Sequence, residues 1–292
     1  MDFANPKGHL LYDYRVNDMI NAMDQKLKNV QCFTGNQLKL IACLCMLIDH
    51  ISKIPMSKYM DKLFSLSLEG MISEEQFFAL QDFQRQVLFG IGTIAFPLFC
   101  FLLAEGFRYT RNRKRYIGSM LVFAIISEIP FDIGFFHAYS MEAGTFPFYF
   151  AYQNVFFTLF LGLVCLTGLE AVSQRNRNLD RKEKAKGFLL QIGIIAIVSC
   201  AAELLKCDYG AQGIIFIAGF YIFRKSHVLQ VVMFLVLYMA TTGNQPPTYT
   251  MIAAFLLLLY NGKRGKWKAK YLFYWFYPIH IFVLYVIAQL FL

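Results

Sequence analysis

The most constraining feature of this chain is how its apolar residues are grouped. From residue 36 to the end, long apolar runs alternate with short bursts of lysine and arginine. A helix that crosses a hydrocarbon core about 30 Å thick needs ~20 apolar residues. Nine segments meet or approach that length: 36–55, 87–104, 116–135, 153–172, 188–204, 210–223, 227–242, 246–260 and 271–291. The sixth to eighth are short and are expected to be tilted, broken or re-entrant. Residues of the AVILMFWYC set make up 57% of the 292 residues and charged residues only 16%, where soluble domains carry about 25% charge. One water-soluble core cannot hide so much apolar side chain, and mean hydropathy is +0.45. The expected fold is an all-α, polytopic membrane helix bundle, with residues 36–292 forming one transmembrane domain.

The net charge of +9 invites a nucleic-acid partner, but the position of the charge excludes it. Of the 28 Lys and Arg, 22 fall in five segments: four before residue 36, five in 108–115, six in 173–187, the pair Arg224–Lys225, and five in 261–270. The alternate loops hold only Lys53, Lys58, Lys62, Arg85 and Lys206. Loops rich in Lys and Arg stay in the cytoplasm. The N-terminus is therefore expected inside and the C-terminus outside, in the inner (cytoplasmic) membrane of the cell. The first 30 residues contain no uninterrupted apolar stretch of the signal-peptide kind, so the first span is expected to direct insertion itself. Residues 1–35 read as a cytoplasmic arm, partly helical. Residues 56–86 carry Met60, Phe64, Leu68, Phe77 and Phe78 among acids and read as helical pieces lying in the outer interface. Most of the seven cysteines lie in apolar runs and none forms a C-x-x-C, so neither a disulfide nor a metal centre is expected.

Ionisable side chains inside spans are costly and usually face a protein interior or a wet cavity. The first span opens on Thr34-Gly-Asn-Gln37, a capping-box pattern. Lys39 and His50 are eleven residues apart, about 20° past three full turns, so both lie on one helix face about 16 Å apart along the axis. Asp49 is next to His50 in sequence but points about 100° away, so it cannot simply orient the imidazole. On the third span Glu128 and Asp132 are four apart and share a face, with Pro130 between them. Glu128 lies close to the depth of His50. Gln153 and Asn154 open the fourth span, Glu203 ends the fifth, Asp208-Tyr209-Gly210 forms the next outer turn, and His280 lies near the middle of the last. Most of these polar groups fall in the outer half while arginines crowd the inner loops. Such a chain can bind an anionic ligand at the cytoplasmic face and handle a polar acceptor near the outer face.

The segments TGNQLKLIACLCMLIDHI, GTIAFPLFCFLLAEGFRYTRNRKRY, ISEIPFDIGFF, QNVFFTLFLGL, DYGAQGI and FYPIHI resemble, in order, the TraX family. Its founding member is associated with N-terminal acetylation of conjugative pilin, and TraX proteins look like relatives of a wider membrane acyltransferase superfamily. The resemblance covers residues 34–292. That superfamily typically carries a basic or polar residue, ten intervening residues and a His on its first core helix. Lys39-x10-His50 fits, with Lys where Arg is commoner. The resemblance implies acetyl-CoA as donor and His50 as the central catalytic residue, acting as general base or as a covalent acetyl relay.

On this reading Glu128 orients His50 or steadies its imidazolium, and Asp49 and Asp132 complete the catalytic set. Lys39, Arg108, Arg111, Arg113, Arg115 and His280 serve the donor, the arginines by pairing with its phosphates. Gln153, Asn154, Glu203 and Asp208 serve the acceptor, which is pilin, another peptide, or an envelope glycan or lipid. Two other readings fit the same residues. One is a proton-coupled transporter or flippase in which His50, Glu128, Asp132 and His280 form a relay. The other is a non-catalytic membrane scaffold of a secretion or conjugation machine.

Overall fold

The computed structural model describes residues 6–176, 180–242, 248–267 and 270–291. Eleven helices carry nearly all of them: α1 Pro6–Leu27, α2 Gly35–Leu68, α3 Glu74–Tyr109, α4 Arg113–Phe135, α5 His137–Glu142, α6 Val155–Arg175, α7 Arg181–Leu204, α8 Gly210–Ile222, α9 His227–Thr242, α10 Thr248–Leu258 and α11 Lys270–Phe291. Among the described residues there is no strand beyond two isolated bridges. A chain in lipid must bond its backbone internally, and helices do so within each segment. Six helices (α2, α3, α4, α6, α7 and α11) are long and apolar enough to cross a membrane, and α8, α9 and α10 are shorter and equally apolar. Each of the nine segments read from the sequence is therefore helical. Residues 246–247 of the eighth segment, 1–5 of the arm, 177–179 and 268–269 of the inner loops, and 292 lie outside the described residues.

The segment 56–86 is helical, in the pieces Ser57–Leu68 and Glu74–Phe83. It continues the helices on both sides, so α2 and α3 form one long hairpin closed by a turn at 69–73. At 1.5 Å per residue, the 34 residues of α2 reach about 51 Å, well beyond the ~30 Å hydrocarbon core. Both arms carry a π-helical turn, at Ser52–Met56 and Gln84–Leu88. Pro55 lies within the first and removes one helical N–H donor. The Ser52 carbonyl accepts instead from Ser57 Oγ at 3.1 Å and from Gln84 Nε2 at 2.8 Å, which pins the two arms together.

The short α8 is the centre of the bundle. It packs against α3, α6, α7 and α9, and Ile214, Phe216, Ile217 and Phe220 are fully enclosed. Gly213 lets it approach closely, since a Cβ there would meet Thr158 Cγ2 at 2.5 Å. A helix wrapped in protein need not match the bilayer, which explains its length. By contrast α7 is peripheral, and Phe188, Leu189, Leu190 and Ile197 face outward. At the inner end the predicted capping box forms: Thr34 N–H donates to Gln37 Oε1 at 2.8 Å and Gln37 N–H to Thr34 Oγ1 at 3.4 Å. The 261–267 loop closes over the same helix end, its Lys263 and Arg264 carbonyls accepting from Gly35 and Asn36 N–H at 2.8 and 3.0 Å.

Candidate active site

Two cavities open inside the bundle. The outer one, about 280 Å³, is lined at its polar end by Asp49, His50, Lys53, Tyr152, Asp208 and Tyr209. The inner one, about 660 Å³, carries Lys39, Arg111 and Arg264 with Asn36, Glu105 and several tyrosines. Phe99, Phe156, Leu159 and Phe273 line both. They form an apolar partition between a basic chamber, here called inner, and a histidine-bearing one, here called outer. Lys39 and His50 thus share a helix face, as the spacing predicts, and that face lines the two chambers in sequence.

His50 is 8% exposed and is held by α11 and α4. Its Nδ1 lies 2.7 Å from His280 Nε2. The two rings are only 8° from parallel with centroids 4.9 Å apart, so they meet edge to edge in one plane rather than face to face. Phe135 and Tyr277 press their rings edgewise on His50, at 5.1 and 5.9 Å between centroids. The nearest carboxylate is Asp49, whose Oδ2 stands 3.8 Å from His50 Nε2. That is too long for a hydrogen bond, because Lys53 Nζ holds the same oxygen at 2.8 Å. Asp49 does approach His50, although a 100° step points it elsewhere: neighbouring positions on one helix converge when both side chains lean into a shared cavity. Gly92 makes room, since a Cβ there would lie 2.3 Å from Asp49 Oδ1.

Other sequence-derived assignments change. Glu128, read as the partner of His50, bonds Asn154 instead. Asn154 is fully buried, donates also to Ala124 O at 2.8 Å, and caps α6 by accepting from Phe156 N–H at 3.0 Å. The pair is a buried strut between α4 and α6, which removes Asn154 from the acceptor set. Asp132 Oδ2 accepts from Tyr149 N–H at 2.9 Å and fastens the 143–154 loop. Glu203 Oε1 accepts from Ala211 N–H at 2.7 Å in the first turn of α8, and Gln153 Nε2 donates to Phe150 O at 3.1 Å. Gln153 still matters through its backbone. It exchanges bonds with Lys206 O (3.1 Å) and Asp208 N–H (2.9 Å), which sets Asp208 at the cavity.

Asp208 lies in the turn between α7 and α8, outside the spanning helices. Burial pushes its carboxyl up to about 6, opposed by the Lys53 charge. Tyr152 in the 143–154 loop is pushed up to about 12, by burial first and then by Asp208. Next to Asp208, Tyr209 sits at φ 62°, a left-handed backbone that costs of order 1 kcal/mol in a non-glycine residue. Its ring stacks on Phe96 at 3.5 Å.

Of the four arginines expected at the donor, only Arg111 lines the inner cavity. Arg108 pairs with Glu105 at 3.7 Å, Arg113 with Glu170 at 3.5 Å, and Arg115 Nη2 donates to Tyr271 Oη at 3.3 Å. Lys39 Nζ lies 5.5 Å from the Phe273 ring centroid, at the partition itself. His280 belongs with His50 rather than with the donor chamber. Sequence reasoning missed Lys53, which a three-residue step from His50 makes visible on the same helix face. It also missed Arg264, hidden in a basic burst that reads as topology, and Tyr152 and Tyr209, which no periodicity marks.

Fold and site together define a multi-pass helical membrane protein with two chambers and a buried histidine pair beside one of them. The family model described as TraX protein matches residues 34–288, and the chain belongs to that family. It is also similar to "Probable fimbrial assembly protein FimC, serogroup H1" of Dichelobacter nodosus, at 26% identity over 268 residues, 86% of this chain and 94% of the relative. No solved structure matches it significantly.

Proposed function

We propose that this protein is an inner-membrane acetyltransferase that draws acetyl-CoA from the cytoplasm and modifies an acceptor reaching the outer chamber. The observation that carries this reading is the partition: a chamber with Lys39, Arg111 and Arg264 abuts, across four apolar side chains, the chamber that holds His50. Cations suit the phosphates of the donor nucleotide, Arg by bidentate pairing, and the apolar partition suits the thin arm that carries the thioester. His50 Nε2 takes the proton of the acceptor's hydroxyl or amine as that atom attacks the acetyl carbonyl carbon. The carbon–sulfur bond then breaks, and the departing thiolate takes the proton back from His50. Asp49, 3.8 Å away, steadies the imidazolium between the two steps. Lys53, Asp208 and Tyr152 supply polar contacts for the acceptor. The similarity to a protein named for fimbrial assembly favours a pilin-type peptide as that acceptor, ahead of an envelope glycan or lipid.

The test is turnover of labelled acetyl-CoA by the purified full chain in lipid nanodiscs. A general base contributes about 10²–10⁴ in rate, so His50→Ala is expected to slow CoA release or acetyl transfer about 10³-fold while CoA still binds. Turnover unaffected by the substitution overturns the proposal. An intact wild type with no affinity for CoA overturns it in favour of transport or docking.

A further inference from the structure

The hydrogen bonds around the histidine pair determine where its protons lie. His280 Nδ1 is 2.6 Å from Phe276 O. A carbonyl oxygen only accepts, so this nitrogen carries the proton and, in the neutral ring, Nε2 is bare. That bare nitrogen lies 2.7 Å from His50 Nδ1, a contact that requires one proton between them. It must come from His50. In the neutral pair His50 is therefore the Nδ1–H tautomer, with its lone pair on Nε2, the nitrogen on the Asp49 side of the ring. Both histidines are more than nine-tenths buried, so water does not compete readily for either contact.

The surroundings hold this arrangement. His280 follows Pro278 on α11, and the ring of Phe276 lies against it at 4.5 Å. α4 comes close at Gly134, where a Cβ would meet Ile281 Cγ2 at 2.7 Å, and this seats α11 against the segment bearing Phe135. Lys53 completes the arrangement from the other side. By holding Asp49 at 2.8 Å, it keeps that carboxylate from taking a proton of His50 into a direct hydrogen bond and so from favouring the opposite tautomer.

We infer that His280 is a positioning residue that, anchored by the Phe276 carbonyl, keeps His50 in the Nδ1–H tautomer and so directs the Nε2 lone pair toward the outer chamber. Its effect on rate rests on the acyl transfer proposed above, whereas the tautomer itself does not. An imidazole in the wrong tautomer presents N–H where the reaction needs a base, and such errors cost orders of magnitude in rate.

The experiment uses the full chain in nanodiscs with ¹⁵N-labelled histidine, the His50 resonances being assigned by their loss in His50→Gln. Protonated and bare ring nitrogens give well-separated ¹⁵N shifts. The wild type is expected to show Nδ1 protonated and Nε2 bare in His50. His280→Phe, which keeps a ring but removes the acceptor, is expected to move proton occupancy toward Nε2 and to lower kcat about 100-fold with KM unchanged. His280→Gln places an amide oxygen near the position of the lost Nε2 and is expected to restore the Nδ1–H signature and bring kcat within about tenfold of wild type. A wild-type His50 protonated on Nε2, or a tautomer indifferent to His280→Phe, overturns the inference. A wild type that shows the expected tautomer and its response but never turns over acetyl-CoA upholds the inference and overturns the proposed activity.

Discussion

The two chambers on either side of Phe99, Phe156, Leu159 and Phe273 are built by opposite electrostatic rules. In the inner chamber Arg111 and Arg264 are exposed at its mouth, and water shares the work of solvating them. In the outer one the buried groups are answered from within the protein: Asp49 by the half-exposed Lys53, the histidines by each other and by a backbone carbonyl. Charge is inexpensive to hold where water reaches it and costly where it does not. Cations can therefore be spread over exposed loops on one side, while groups on the other must be placed by packed helices. The comparison teaches that exposed cations and buried, hydrogen-bonded groups are separated in space, with a thin apolar wall between them.

The sharpest break of that comparison is to thicken the wall. Phe99→Trp is expected to cut acetyl transfer about 100-fold, as misplacement of a reacting group does, while leaving CoA affinity nearly unchanged. Loss of binding in step with turnover in a titration with labelled CoA would show one site instead of two.

Of similar size is the effect of the acid in the outer chamber. Asp208 prefers its proton more in the folded chain than in the unfolded one, since burial raises it from 3.8 to about 6. Stability therefore falls as pH rises through that window, by roughly 3 kcal/mol in total, and stays low above it. Asp208→Asn removes the penalty. Its Tm is expected to exceed wild type at pH 8 and to match it below pH ~4, at some loss of acceptor turnover. A variant equally stabilised at both ends of the range would contradict the burial of that carboxyl.

The smallest effect belongs to the inner chamber. Arg111→Ala and Arg264→Ala are each expected to weaken CoA binding about tenfold, and each should flatten the dependence of affinity on salt. Arg108→Ala, which removes a cation already paired with Glu105, is expected to change CoA affinity much less. Equal losses at all three positions would mean that the chamber acts by net charge alone.

How much of this was legible in the chain depends on how far each relation reaches. Lys39 and His50 share a helix, so the 3.6-residue period placed them on one face, and Thr34 with Gln37 announced the helix start. The nine apolar segments were equally plain. Glu128 was misread because depth along a helix follows from residue count, whereas rotation about it follows from packing: the carboxylate at the right height turns toward Asn154 on α6. Segment 56–86 is helical as its sequence suggests, but only packing shows that its pieces continue the helices on either side, with Gln84 and Ser57 satisfying the carbonyl at the bend.

The amino-acid sequence by itself determined the membrane class, the helices and the clustering of positive charge in alternate loops. Each depends on composition or on neighbours a few residues apart, and both the bilayer and the helix read those directly. Only the tertiary structure decided that His50 would meet His280 across 230 residues, that Asp208 would reach the chamber through the bridge between Gln153 and Cys207, and that one basic loop residue rather than another would line a cavity. Those relations arise where helices distant in the chain pack together, and their rotation and spacing are set by interlocking side chains that no local pattern records.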